Sequence, residues 1–392
     1  MDDLEACVKF LQQLIQTPSL PGEEKYIADL VQVELTRLGF DECYRDEVGN
    51  VIGRIYGEGV APPVMFNTHL DHVDVGDQRL WPYPPFEGVV HDGRVWGRGA
   101  VDIKGPLAAQ VHGLARVCRS GNKPKGDIYL SAVVQEEIGG VGARHLISHL
   151  SPPLVVVGEP SRNELRRGHR GRVELVLHVR GRSVHASIPE RGINPLFVVA
   201  RFIEGLQELV MDEDEVLGPS SMAPTLIATD QTSANVVPGQ AWLTCDWRNI
   251  PQQSDRQIQK CLLDLARRVL IEGAEADVTI PVFERKTYTG RTVSIPASNP
   301  AFAVSASEPF FQSAVEIVSS TLGREVPHSV WRFATDGGHF AAAGMQVIGF
   351  GPGDDRLAHT VDESIPVDAL KVALDVNEAL ATEWPAAVLA RA

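Results

Sequence analysis

The chain has 392 residues, more than a single hydrophobic core usually organises, so two domains are expected. Its 44% hydrophobic and 22% charged content is that of a soluble globular protein, and no apolar run reaches bilayer length. A net charge of -15 disfavours nucleic acid and anionic membranes as partners.

The first elements are helical. Leu4, Val8, Leu11 and Ile15 share one helical face, and a second helix is expected from Glu24 to Leu38, stopped by Gly39. The opening Met1-Asp2-Asp3-Leu4-Glu5 has no basic or apolar leader region, which with the cysteines makes a cytoplasmic location the expectation. The five cysteines are odd in number and lack a Cys-x-x-Cys, so they read as reduced thiols. Short apolar runs then read as buried strands: Val64 to Phe66, Ile128 to Val134 and Leu154 to Val157, alternating with helices. This is the pattern of an α/β sheet domain.

The style changes at Gly171. A strand over 172–179, a helix over 194–210, strands over 224–229 and 240–247, a helical stripe from Ile258 to Leu270 and a strand over 276–282 follow in turn. The order β-α-β-β-α-β is that of a ferredoxin-like unit. From about Lys286 the α/β style returns, with a helix near 309–322 and a strand before Gly349. The expected fold is a mixed-sheet α/β catalytic domain (1–170 and 288–392) flanked by helices, with an inserted ferredoxin-like α+β lid or dimerisation domain (171–287).

Metal-loving side chains cluster where the strands end. His69-Leu70-Asp71 follows the first, Glu136-Glu137 the second and Glu159 the third; Asp102 and His359 complete the set. Open α/β sheets bind ligands at the carboxyl ends of their strands, and rigid strands hold a site better than loops. Two imidazoles and four acidic groups beyond Asp71 suffice for two divalent cations sharing one carboxylate. A lone His-x-Asp or Glu-Glu pair carries little weight, but the ordered set points to a hydrolase. Imidazole and carboxylate donors suit Zn²⁺, with Co²⁺ or Mn²⁺ as alternatives, and the absence of cysteine among them argues against a structural zinc cage.

Four segments carry a resemblance: Asn67-Thr68-His69-Leu70-Asp71, Trp96 to Gly105, Glu136 to Gly140, and Gly158-Glu159-Pro160-Ser161. They resemble the signatures of the family of acetylornithine deacetylase, succinyl-diaminopimelate desuccinylase and glutamate carboxypeptidase, over nearly the whole chain. The resemblance implies that His69, Asp102 and Glu159 hold one metal and Asp102, Glu137 and His359 the other, with Asp102 as the bridge. It makes Glu136 the general base and Asp71 the residue that orients His69. It also implies that His185, in Gly181 to Ser187, reaches a neighbouring subunit's site in a homodimer, and that Asn235 and Arg248 grip a substrate carboxylate. A guanidinium suits that task, although Arg248 at a strand end also fits a surface ion pair.

Other tempting residues have plainer readings. His72 and Asp74 match no ligand position, and His91, His112, His145, His149 and His178 read as packing or surface residues. Gly168 to Gly171 reads as a hinge, and Asp212 to Glu215 as a solvated acidic loop. Thr335 to His339 departs from the Asp-x-Arg segment of many relatives; His339 is the side chain available to fill that space. The expected activity is removal of an acetyl or succinyl group from an N-acylated amino acid, a small molecule bearing a carboxylate. The alternatives are a dipeptidase or carboxypeptidase on the same centre, and a non-catalytic ligand-binding relative. All metal positions and Glu136 are filled, which counts against the last.

Overall fold

The computed structural model describes residues Asp2 to Arg391 and divides into two compact units. The first comprises residues 1–169, 284–293 and 302–392; the second comprises 170–283 and 294–301.

The first unit is built on a mixed nine-stranded sheet. Its centre is four parallel strands in the order Ile128–Val133, Val64–His69, Leu154–Val157 and Gln346–Gly349. Val51–Ile55 and Leu165–His169 continue it antiparallel on the two sides. Alternate side chains go to opposite faces. Val64 and Phe66 enter the larger core cluster, which takes in side chains of helices Asp3–Ile15, Lys25–Leu38, Lys104–Ser120, Pro309–Leu322 and Val367–Leu389. Met65 enters a smaller cluster with residues of Val141–Leu146 and Gly337–Ala342. Burial on both faces explains why these strands read as unbroken apolar runs.

The first two helices obey local chemistry. Asp2 caps one by accepting the Glu5 N–H at 2.7 Å. Gly39, at φ +88°, closes the other in the left-handed conformation a side chain would resist.

The second unit has a sheet in the order Ser221–Thr229, Gln240–Arg248, Arg172–Arg180, Glu275–Thr279, each pair antiparallel. Helices Pro195–Leu206 and Asp255–Val269 pack into the same core. The strand order 2-3-1-4 is the ferredoxin-like arrangement.

Some boundaries differ from the sequence expectation. The last strand stops at Thr279, and Val282 starts a separate strand. Pro281, between them, has no N–H to donate. Residues 294–301, expected in the catalytic domain, belong to the second unit, because Ser298 and Asn299 pair with Val173 and Arg172. The acidic loop is not solvated throughout: Asp214 is buried, accepting the Val216 and Leu217 N–H groups and Gln252 Nε2.

Candidate metal centre

Strand register assembles the centre. His69, the last residue of its strand, pairs with Val133 on one side, while Asn67 pairs with Val157 on the other. Glu136-Glu137 and Glu159 therefore leave from the two strands flanking His69. Asp102 arrives on the segment just before helix Lys104–Ser120, and the Asp102–Ile103 peptide is cis. His359 follows the short helix Asp355–Leu357 beyond Gln346–Gly349 and sits at φ +62°.

Two groups of ligand atoms result, His69/Asp102/Glu159 and Asp102/Glu137/His359, each with its atoms within 4.8 Å of one another. Asp102 belongs to both. Its Oδ1 lies 3.2 Å from His69 Nε2 and its Oδ2 lies 3.3 Å from His359 Nε2. His69 Nε2 is also 3.6 Å from Glu159, and His359 Nε2 is 3.0 Å from Glu137. One carboxylate thus presents each oxygen to a different imidazole, the geometry of a bridging ligand.

Charge crowding dominates the electrostatics. Burial, then Asp336 nearby, pushes the Glu136 carboxyl well above its ordinary range. Burial and then Asp102 do the same to Glu159, and raise Glu137 as well. The hydrogen bonds to Asp102 and Glu137 hold His359 up at about 10. Burial would raise Asp102, but His359 and His69 outweigh it and keep it low. The donors and their spacing fit two divalent cations, whose charge would turn this mutual repulsion into attraction.

A surrounding shell fixes His69, Glu136, Glu137 and Asp102. Asp71 accepts the backbone N–H of Glu136 at 3.0 Å through Oδ1 and of Glu137 at 3.1 Å through Oδ2. Its Oδ1 is also 3.4 Å from His69 Nδ1, so one carboxylate steadies three site residues. Gln135 is held at φ +55°, its N–H donating to Glu24 and its side-chain amide to the Lys286 carbonyl. Such a conformation persists only where surroundings enforce it. The Asp102 segment is clamped by Glu363, which accepts the N–H groups of Gly99, Val101 and Asp102 and pairs with Arg98 at 2.6 Å. Burial pushes Glu363 up to about 7, with Arg98 pulling the other way.

Comparison with known proteins agrees with this geometry. Residues 65–383 match the profile described as peptidase family M20/M25/M40. The chain belongs to that family. A succinyl-diaminopimelate desuccinylase from Caulobacter is 27% identical over 97% of this chain and 96% of its own. Aminopeptidase PepT of Bacillus cereus superposes with a TM-score of 0.77 at 20% identity, covering 97% of this chain and 98% of its own. The YXEP protein of Bacillus subtilis, described as a dinuclear metal-binding M20 peptidase, gives 0.73 at 16% identity, covering 97% and 98%. As an M20-family member, this chain is a metal-dependent hydrolase of amide bonds. Among the described residues no helix is long and apolar enough to cross a membrane.

Within this M20 enzyme the remaining sequence candidates separate. His185 and Asn235 come together in the second unit: His185 pairs with Val236, and the Ala186 N–H donates to the Asn235 carbonyl. Both are exposed, and His185 Nδ1 lies 2.7 Å from Ser187 Oγ. Arg248 is not with them. It ends the strand whose start, Gln240, lies near Asn235, about 26 Å away at the rise of an extended strand. Its guanidinium is engaged by Asp246, at 2.6 Å from Nε.

His72 is structural: its Nε2 accepts the Ser19 N–H, and burial lowers it to about 4. Thr335 to His339 lies against the Glu-Glu loop. A Cβ at Gly140 would fall 2.7 Å from His339 Nε2 and 2.8 Å from Asp336 Oδ1. Asp336 and His339 are buried, and neither Asp336 oxygen nor His339 Nε2 has a hydrogen-bond partner among the described residues.

Sequence reasoning missed Glu363, Arg98, Glu24 and Gln135. Asp362-Glu363 looks like a solvated pair, and only the return of distant chain to the Asp102 segment buries it.

Proposed function

We propose that this M20 enzyme removes a small acyl group, acetyl or succinyl, from an N-acylated amino acid. The observation that carries the reading is Asp102, with one oxygen at each of two imidazoles and an acidic side chain completing each group. His69, Asp102 and Glu159 would hold one divalent cation, and Asp102, Glu137 and His359 the other. Zn²⁺ suits these donors, with Co²⁺ and Mn²⁺ as alternatives. Cations bound there supply Lewis-acid polarisation of the amide carbonyl and acidification of water.

The chain's own groups do the rest. Glu136 accepts a proton from the attacking water and delivers it to the leaving amine nitrogen. Its raised pKa strengthens its hold on that proton, and Asp71 accepts its backbone N–H. Asn235, beside His185, is the proposed substrate-carboxylate contact, while the Asp246 partner of Arg248 supports the surface ion-pair reading of that residue. His185 is proposed to stabilise the oxyanion from a second copy of the chain in a homodimer. Edge strand Ser221–Thr229 supports that assembly, since its nine residues leave Leu226 and Ile227 exposed.

A second reading, cleavage of a dipeptide, is favoured by Asp336. This buried carboxyl, with no hydrogen-bond partner among the described residues, stands near enough to Glu136 to repel it, and the free ammonium group of a peptide would complement it. A panel of N-acetyl and N-succinyl amino acids and dipeptides, tested on metal-loaded protein, decides between the two. Turnover of dipeptides alone would overturn the deacylase reading.

A further inference from the structure

Outside the metal centre, the turn after Arg45 and helix Val141–Leu146 bring a second set of metal-binding groups together. His145 and His149 are four residues apart, with ring centroids 5.2 Å from each other. His149 Nε2 lies 3.7 Å from Asp46 Oδ2. One ligand atom from each of the three lies within 4.8 Å of the others. A tetrahedral ion with bonds of about 2.0–2.1 Å keeps its ligand atoms roughly 3.4 Å apart, so small side-chain rotations suffice.

Asp46 is built into position. Its Oδ1 accepts the N–H groups of Val48, Gly49 and Asn50 at 3.0–3.1 Å, and its Oδ2 accepts Asn50 Nδ2 at 2.7 Å. A carboxylate oxygen has a second lone pair, and that of Oδ2 is the one available toward His149. The Asp46 side chain is 5% exposed and that of His149 36%, which leaves one side open to an ion and a water. Among the described residues, neither imidazole makes a hydrogen bond, the 3.7 Å approach to Asp46 being too long for one.

We propose that Asp46, His145 and His149 form a third metal site, taking one divalent transition metal such as Zn²⁺ with water as its fourth ligand. Two imidazoles favour such an ion over Mg²⁺ or Ca²⁺. The site ties the turn to the helix beside Asn50. Asn50 Nδ2 also donates to the Gly142 carbonyl at 2.9 Å, and its Oδ1 accepts the Val134 N–H at 3.0 Å, two residues before Glu136. An ion here therefore stiffens the strand end that carries Glu136 and Glu137.

The test is equilibrium dialysis of full-length, chelator-stripped protein against Zn²⁺, with metal per chain measured by elemental analysis. Wild type is compared with His149→Gln and with the His145→Gln/His149→Gln double variant. Both variants should bind one equivalent fewer than wild type and keep amide hydrolysis. Because the readout is a difference, it reports on this site whatever the occupancy of the dinuclear centre, so either reading can fail alone. Equal metal content in wild type and variants overturns the proposal. Zn²⁺ should also slow amide exchange at Val48, Gly49 and Asn50 in wild type but not in the double variant. Exchange unaffected by Zn²⁺ in wild type would overturn the stiffening role.

Discussion

The metal centre and the His185–Asn235 edge are built on opposite principles. His69 is 2% exposed, and Glu136, Glu137 and Asp102 are fixed by Asp71 and by the Glu363 clamp, with His359 alone of the ligands set on an exposed loop. His185 lies on a two-residue strand, exposed, with Ser187 as its side-chain partner. A constellation that one chain must hold by itself is over-determined by that chain's packing. His185, proposed to act on a second copy of the chain, is left in solvent with only local ties. The contrast predicts that substitutions in the first region disturb metal binding, whereas those in the second leave it untouched.

Substitutions can break that contrast. Asp102→Ala should have the largest effect, releasing metal from both positions together and abolishing turnover; elemental analysis and activity check it. If one ion of the centre stays fully bound, Asp102 is not shared. Glu136→Gln should cut turnover by about 10²–10⁴-fold with the centre's metal retained, whereas Glu137→Gln should weaken metal binding. The reverse pattern would exchange their roles. His185→Ala should cost roughly 10²–10³-fold in turnover without touching metal content. Mixing it with inactive Glu136→Ala protein under subunit exchange should restore part of the activity, and no recovery despite exchange would remove the in-trans role. The last is a stability test. Glu363→Ala leaves the buried Arg98 without its carboxylate, keeping only the Asp74 and Thr360 carbonyls and the Trp81 ring, and should cost about 3–5 kcal/mol, read as a lowered midpoint of denaturant unfolding. An unchanged midpoint would mean that Glu363 does not clamp the Asp102 segment.

Part of the centre could be read in the sequence because His69 ends, and Glu136-Glu137 and Glu159 closely follow, strands buried on both faces, whereas Asp102 and His359 lie on loops. An apolar run followed by His69, or by Glu136-Glu137, is a local signal of a strand end. The β-α-β-β-α-β order was equally visible, since each element carries its own periodicity. What escaped depends on distant chain. Glu24 and Glu363 acquire their meaning from the backbone they grip, Gln135 in one case and the 99–102 segment in the other, and neither is near its partner in sequence. Residues 294–301 return to the second unit through pairing with Arg172 and Val173, which no composition change announces. The separation of Arg248 from Asn235 follows from strand length and register.

The central claim is that Asp102 joins two cations in one centre. Anomalous diffraction from metal-loaded crystals, collected at the absorption edge of the bound metal, measures this directly. Two peaks about 3.5–4 Å apart, with Asp102 between them, His69 and Glu159 at one and Glu137 and His359 at the other, are the predicted result. A single peak at this centre, or two peaks that Asp102 does not bridge, would contradict it.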